Sequence, residues 1–195
     1  MNIMIYILLA IAGYLSGSIP TGYLVVKWRK NIDIRTVGSG NIGATNVYRV
    51  LGIKWAIGVF IFDMLKGALP VILFKNHSSP PLIYLLSLTP FIGHCYTLWL
   101  GFKGGKGVAT SAGILIIIAP ISLAISLIVW LSTILLFHIS SLGSLFAAVT
   151  LPVVTYFLYN AQLFFFTIAL SLWVILRHRE NIERLINKSE KTEKI

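Results

Sequence analysis

Three short polar stretches hold most of the residues in this chain whose types and spacing could do chemistry. Residues 101–110, GFKGGKGVAT, set Lys103 and Lys106 among Gly101, Gly104, Gly105 and Gly107. Glycines there can expose backbone N–H groups as a nest for an anion, and a lysine supplies a point charge beside them. A hairpin whose lysines serve only membrane topology would not need glycines packed around Lys106. The stretch is not a P-loop, because G-x-x-x-x-G-K-[ST] would require glycine where Leu100 stands.

The second stretch, VGSGNIGATNVYR at 37–49, combines Gly38, Gly40 and Gly43 with the neutral hydrogen-bonding groups of Ser39, Asn41, Thr45 and Asn46. Arg49 adds a planar fork suited to an oxyanion. A helix beginning near Ala44 would aim its free N–H groups at the same ligand. The third stretch, RHRENIERL at 177–185, sets His178 and Asn181 at i, i+3 on one helical face. His178 could act as an acid or base near neutral pH; the plainer alternative is an amphipathic helix leaving the membrane. His77, His94 and His138 read as hydrogen-bonding or interfacial residues.

The carboxylates are few: Asp33, Asp63, Glu180, Glu183, Glu190 and Glu193. They are not grouped as magnesium or zinc ligands are, so no metal or other cofactor is expected. The single Cys95 excludes an intramolecular disulfide and reads as a small packed residue.

The elements that must position these groups are membrane helices. Of 195 residues 57% are hydrophobic and only 11% charged, against about 25% charged in a soluble domain. No Asp, Glu, Lys or Arg occurs from Val108 to Leu176. The pattern predicts an all-α polytopic membrane protein forming one domain over 1–195. Spans are expected at 3–26, 55–74, 82–100, 108–119, 120–137, 141–159 and 163–176. Taken as one helix, 108–137 would rise ~45 Å, against a hydrocarbon core of about 30 Å, so a break is placed at Pro120. The segment 108–119 is then short, and either borrows residues from the glycine loop or stops partway.

No Lys or Arg precedes Lys27, which reads as a retained first helix with its N-terminus outside. Arg177, Arg179, Arg184, Lys188, Lys191 and Lys194 set the C-terminal tail in the cytoplasm, and parity then demands an odd number of crossings, seven. All three polar stretches fall on the cytoplasmic face. Positive-inside bias also explains much of the +10 net charge, and no nucleic-acid partner is expected. Asp63 and Lys66 lie i, i+3 within a span, either as a mutually compensating pair or on a route for a charged substrate.

Together the segments GSIPTGYLVVK (17–27), VGSGNIGATNVYRVLG (37–52), FIGHCYTLWLGFKGGKGVAT (91–110) and RHRENIERL (177–185) resemble the bacterial acyl-phosphate:glycerol-3-phosphate acyltransferases, the PlsY type. They occur in the family's order and cover the chain from end to end. The resemblance implies seven transmembrane helices in the bacterial cytoplasmic (inner) membrane, with the active site on the cytoplasmic side. It implies transfer of a fatty acyl group from acyl phosphate to the 1-hydroxyl of glycerol 3-phosphate, giving lysophosphatidic acid and phosphate for phospholipid synthesis.

By the same resemblance Lys106, Ser39 and the backbone of Gly104 and Gly105 contact phosphate and oxyanion. Asn41, Arg49, His178 and Asn181 hold glycerol 3-phosphate, with Gly40, Thr45, Asn46 and Lys103 completing the binding surface. Either His178 or the substrate's own phosphate takes the hydroxyl proton. The HxxxxD dyad of another acyltransferase class is absent: Leu82, Trp99, Gly143 and Glu183 stand five positions after the four histidines. Two departures from the family pattern are Thr97, where proline is usual, and Asn187–Lys188, where a glycine often follows the third motif.

Two other functions fit parts of this pattern. A transporter of a phosphorylated anion would use the same cradle, but its groups should sit near the membrane midplane in matching halves. A scaffold docking anionic lipid would need only the charges. Nothing in the sequence bears on oligomeric state.

Overall fold

The computed structural model describes residues 3–77 and 79–193, without the side chains of His77 and Pro80; Lys194 lies outside the described residues. The chain is built of ten α-helices among the described residues: α1 (Ile3–Ser18), α2 (Thr21–Lys30), α3 (Ala44–Leu51), α4 (Ile53–His77), α5 (Pro80–Cys95), α6 (Val108–Ile118), α7 (Pro120–Phe137), α8 (Ser140–Leu158), α9 (Ala161–Arg177) and α10 (Arg179–Ile186). Five segments are long and apolar enough to cross a membrane: Ile3–Lys30, Ile53–Asn76, Pro81–Leu100, Pro120–Phe137 and Ser140–Leu158. A sixth arises if α9 and α10, bent by 58° at His178, count as one. Large apolar side chains such as Phe62, Leu136 and Phe157 face outward, which suits lipid as solvent. The chain is a multi-pass membrane protein.

The break at Pro120 is present, with Ala119 preceding a new helix. The consequence for the seventh crossing is physical: α6 has 11 residues and rises only ~16 Å, about half the hydrocarbon core. The helix begins at Val108 and takes no residue from the glycine loop. By length and composition five or six spans qualify, and α6 is a shorter apolar helix beside them.

The chain divides into two compact units, 1–117 and 118–195. In the first, small residues let helices approach closely. Gly13 and Gly17 on α1 face Thr89 and Pro90 of α5, and Gly93 of α5 meets the Tyr14 backbone. A side chain at any of these would collide, as at the small-residue contacts of membrane helices. Helix α6 packs on α4 in the same way, Gly67 against Thr110 and Gly113 against Met64. Val26, Ile34, Ile42, Val47 and Val59 form a buried apolar cluster that fastens residues 31–43 to α2, α3 and α4.

In the second unit α7 packs on α8 and α8 on α9. The Ser122 and Thr155 hydroxyls join α7 to α8 at 3.1 Å, and Asn160 caps α9 by accepting from the Leu163 N–H at 2.9 Å. The tail folds back, the Glu193 N–H donating to the His138 carbonyl at 2.7 Å.

Candidate active site

The loop before α3 owes its shape to one side chain. Asn46 is 1% exposed. Its Nδ2 lies 3.2, 3.0 and 2.9 Å from the carbonyl oxygens of Ile34, Val37 and Asn41, and its Oδ1 accepts from the Ser39 N–H at 2.9 Å. Gly38 has φ +62° and lies against that amide, while Gly40 has φ +71°. Both conformations favour glycine. Asn41 accepts from the Gly43 N–H at 2.9 Å, and Gly43 leads into α3 as its N-cap. Ser39, Asn41, Thr45 and Arg49 are half-buried around this frame and Gly40 is exposed. Asn46 differs from the expectation of a substrate contact: its amide is engaged by four backbone groups, so it holds the loop's form.

Before the loop, Asp33 accepts from the Arg35 N–H at 2.9 Å and pairs with its guanidinium at 2.6 Å. The Arg35 side chain holds the Asp33 carboxyl below the usual carboxylate range, and Asp33 in turn raises Arg35.

The glycine loop is moulded over the last turn of α5. The Gly104 and Gly105 N–H groups donate to the Cys95 and His94 carbonyls at 3.1 and 3.0 Å. A Cβ on Gly104 would strike the His94 carbonyl, one on Gly105 the His94 imidazole, and one on Gly107 the Phe91 ring. This corrects the expectation of an open backbone nest at 104–105: those N–H groups pair with α5, whose final carbonyls need donors. Half-buried Lys106 and exposed Lys103 rise from the docked loop. Thr97, the residue standing in place of proline, is buried and its hydroxyl donates to the Ser18 carbonyl at the end of α1.

In the second unit the expected exit helix bends at His178, which closes α9 and opens α10. His178 and Asn181 are buried while Arg179 and Glu180 are exposed, so the helix has a polar pair on its inner face and charges on its outer one. His178 Nδ1 lies 2.8 Å from the Val174 carbonyl, where it must donate; in the neutral ring the lone pair is then on Nε2, as a base requires. Asn181 Nδ2 donates to Glu190 at 3.0 Å, and Arg184 pairs with the other oxygen of Glu190 at 2.8 Å. The turn that brings Glu190 back places Lys188 at φ +52°.

Sequence reasoning passed over Glu190 and the bond from Thr97 to Ser18. Both depend on chain reversals that leave no periodic trace; the departure from glycine at 187–188 was the available hint for the first. Asp63 and Lys66 pair at 2.7 Å, the first of the two arrangements expected of them.

With this geometry in hand, a family model described as glycerol-3-phosphate acyltransferase matches residues 7–188. A glycerol-3-phosphate acyltransferase of Syntrophotalea carbinolica is 44% identical, covering 95% of each chain. One from Hyphomonas neptunium is 43% identical over 95% of this chain and 91% of its own. Among solved structures, the glycerol 3-phosphate form of PlsY (YgiH), an integral membrane glycerol 3-phosphate acyltransferase, superposes with a TM-score of 0.92 at 38% identity, covering 97% of this chain and 96% of the other. Its lysophosphatidic acid form gives 0.88 at 37%, covering 96% and 94%. The matched residues include all three polar stretches, and the chain belongs to the glycerol-3-phosphate acyltransferase family.

Proposed function

We propose that this protein acylates the 1-hydroxyl of glycerol 3-phosphate with acyl phosphate as donor, as one acyltransferase domain over 1–195. The observation that carries the reading is the pair of preorganised loops in the first unit, one framed by Asn46 and one docked on α5 bearing Lys106. Membership of the family supplies the acceptor. The donor is the one the sequence resemblance implies, and the residues present suit it: acyl phosphate is an activated anhydride whose leaving group needs cations and not a dyad of acid and base. The 1-hydroxyl oxygen bonds to the acyl carbon, and the bond from that carbon to the phosphate oxygen breaks. Lysophosphatidic acid and inorganic phosphate result. The hydroxyl proton passes either to His178 Nε2 or to a phosphate oxygen of the substrate.

In this reading Lys106 and Ser39 offset charge on the acyl phosphate as the bond breaks, and positioning with electrostatics supplies the rate. Gly40, Asn41, Thr45, Arg49 and Lys103 line the acceptor's anion, and His178 and Asn181 act on glycerol 3-phosphate. The chain crosses the bacterial inner membrane seven times, α6 counting as a short crossing, with the N-terminus outside and the C-terminus and active site cytoplasmic. The fatty chain of the donor lies among membrane lipid.

The test is a two-substrate assay on the purified chain in lipid, with acyl phosphate, acyl-CoA and acyl-carrier protein compared as donors and no metal added. Lysophosphatidate from acyl phosphate alone is expected. Turnover with a thioester donor and none with acyl phosphate refutes the donor assignment. Product from no donor refutes the reaction.

A further inference from the structure

Asp63, Lys66 and His94 are buried ionisable residues to which the proposed reaction gives no task. They form a line through the first unit. Helix α1 ends at Ser18 before Pro20, which leaves carbonyl groups in need of donors. Lys66 Nζ meets the Ile19 carbonyl at 2.7 Å while pairing with Asp63 Oδ1 at 2.7 Å. The Ser16 hydroxyl donates to the Lys66 carbonyl at 3.2 Å. His94 Nδ1 lies 4.0 Å from the same Asp63 oxygen. On its other side the imidazole abuts Gly105, whose N–H donates to the His94 carbonyl at 3.0 Å.

The second catalytic loop is seated on the same junction. Gly22, one residue beyond Thr21, lies so close to the Ile42 carbonyl that a Cβ there would overlap it. The 37–43 loop thus rests on the start of α2, and the 104–107 loop rests on His94. Lys66 and Asp63 tie those two supports together at the point where α1 gives way to α2.

Stability alone does not call for an ion pair here. Replacing a buried pair by apolar residues of like volume is often neutral or stabilising, and ionisable groups within a span are by default functional. We infer that Asp63, Lys66 and His94 are positioning residues for acyl transfer, a buried polar chain that sets the Lys106 loop in register with the loop carrying Ser39. The inference rests on the proposed roles of those two loops.

The experiment is a mutant cycle on the intact chain in lipid nanodiscs, using glycerol 3-phosphate and an acyl phosphate. Asp63→Leu combined with Lys66→Met removes both charges at once and leaves neither buried alone. The expected result is an unchanged melting temperature with kcat/KM lowered at least tenfold, and less than a further twofold loss when Lys106→Ala is already present. The same cycle is read in glycerol 3-phosphate affinity by calorimetry, which needs no turnover. Losses that multiply independently of Lys106, or a loss below twofold in the parent, overturn the inference. Should the charge-deleted chain not fold, His94→Gln, which leaves the ion pair intact, decides by the same thresholds. Parent chain without any product strikes instead at the proposed reaction.

Discussion

Alanine at Gly104 separates a docked loop from an anion nest. Its added Cβ would overlap the His94 carbonyl and lie 2.8 Å from the Cys95 carbonyl carbon and oxygen, all backbone of the last turn of α5. Backbone there cannot swing aside as a side-chain tip can. Overpacking of this kind costs about 1–3 kcal/mol. At ~2–4 °C per kcal/mol for a chain of this size, the melting temperature should fall by ~2–12 °C. Lys106 lies two residues on, and a displacement of about 1 Å at a reacting group can cost ~100-fold in rate. The control is Gly101→Ala, at φ +62° with nothing within 4 Å of the added atom. It bears only left-handed strain of about 1–2 kcal/mol, should shift no neighbour, and should leave kcat within about threefold, since ~0.6 kcal/mol or less reaches the site. Thermal melting followed by fluorescence and the two-substrate assay give both readouts. Gly104→Ala with unchanged melting but weakened glycerol 3-phosphate binding would refute the docking argument in favour of a nest; equal losses of kcat at 101 and 104 would refute the steric one.

Three further outcomes are expected. Lys188→Gly should stabilise the tail by about 0.5–1 kcal/mol, the relief of left-handed strain at φ +52° less the greater unfolded-state freedom of glycine, and Asn187→Gly at φ −83° should not; denaturant titration of both variants distinguishes them. Lys106→Arg should lower kcat toward the ~100-fold loss typical of a missing preorganised donor, with melting unchanged, because a planar fork does not reproduce a compact ammonium; a lipid-docking scaffold would tolerate it. Asp33→Asn should melt lower than the parent at neutral pH. Because Arg35 depresses the Asp33 carboxyl in the fold, its contribution is present above the ordinary carboxylate range and is lost as pH falls through the depressed value, so the two melting curves should converge in acid.

Much of the candidate site was legible before any coordinates. Glycine, asparagine and lysine at 37–49 and 101–107 stand out because membrane spans tolerate so few polar groups that those present carry information. The break at Pro120 was legible for the same kind of reason, a local steric rule combined with a fixed bilayer thickness. What the glycines at 104 and 105 do was not legible. Composition reads a glycine as freedom, whereas here it is absence of volume against the end of α5, and only the approach of another segment distinguishes the two. Asn46 gave a similar outcome, since a side chain that ligates and one that frames a loop are the same letter.

The sequence by itself therefore determined the solvent, the helical class and the family, and named the candidate groups, because hydropathy, charge and motif order are local properties. The tertiary structure alone decided how those groups are held. It decided that α6 is an 11-residue helix, that His178 sits at a bend with its Nδ1 on Val174, and that Thr97 closes the end of α1. It also decided that Lys66 reaches the Ile19 carbonyl, 47 residues away in the chain. These are pairings between distant segments, set by which backbone groups the helix ends leave unsatisfied and by which surfaces glycine allows to touch.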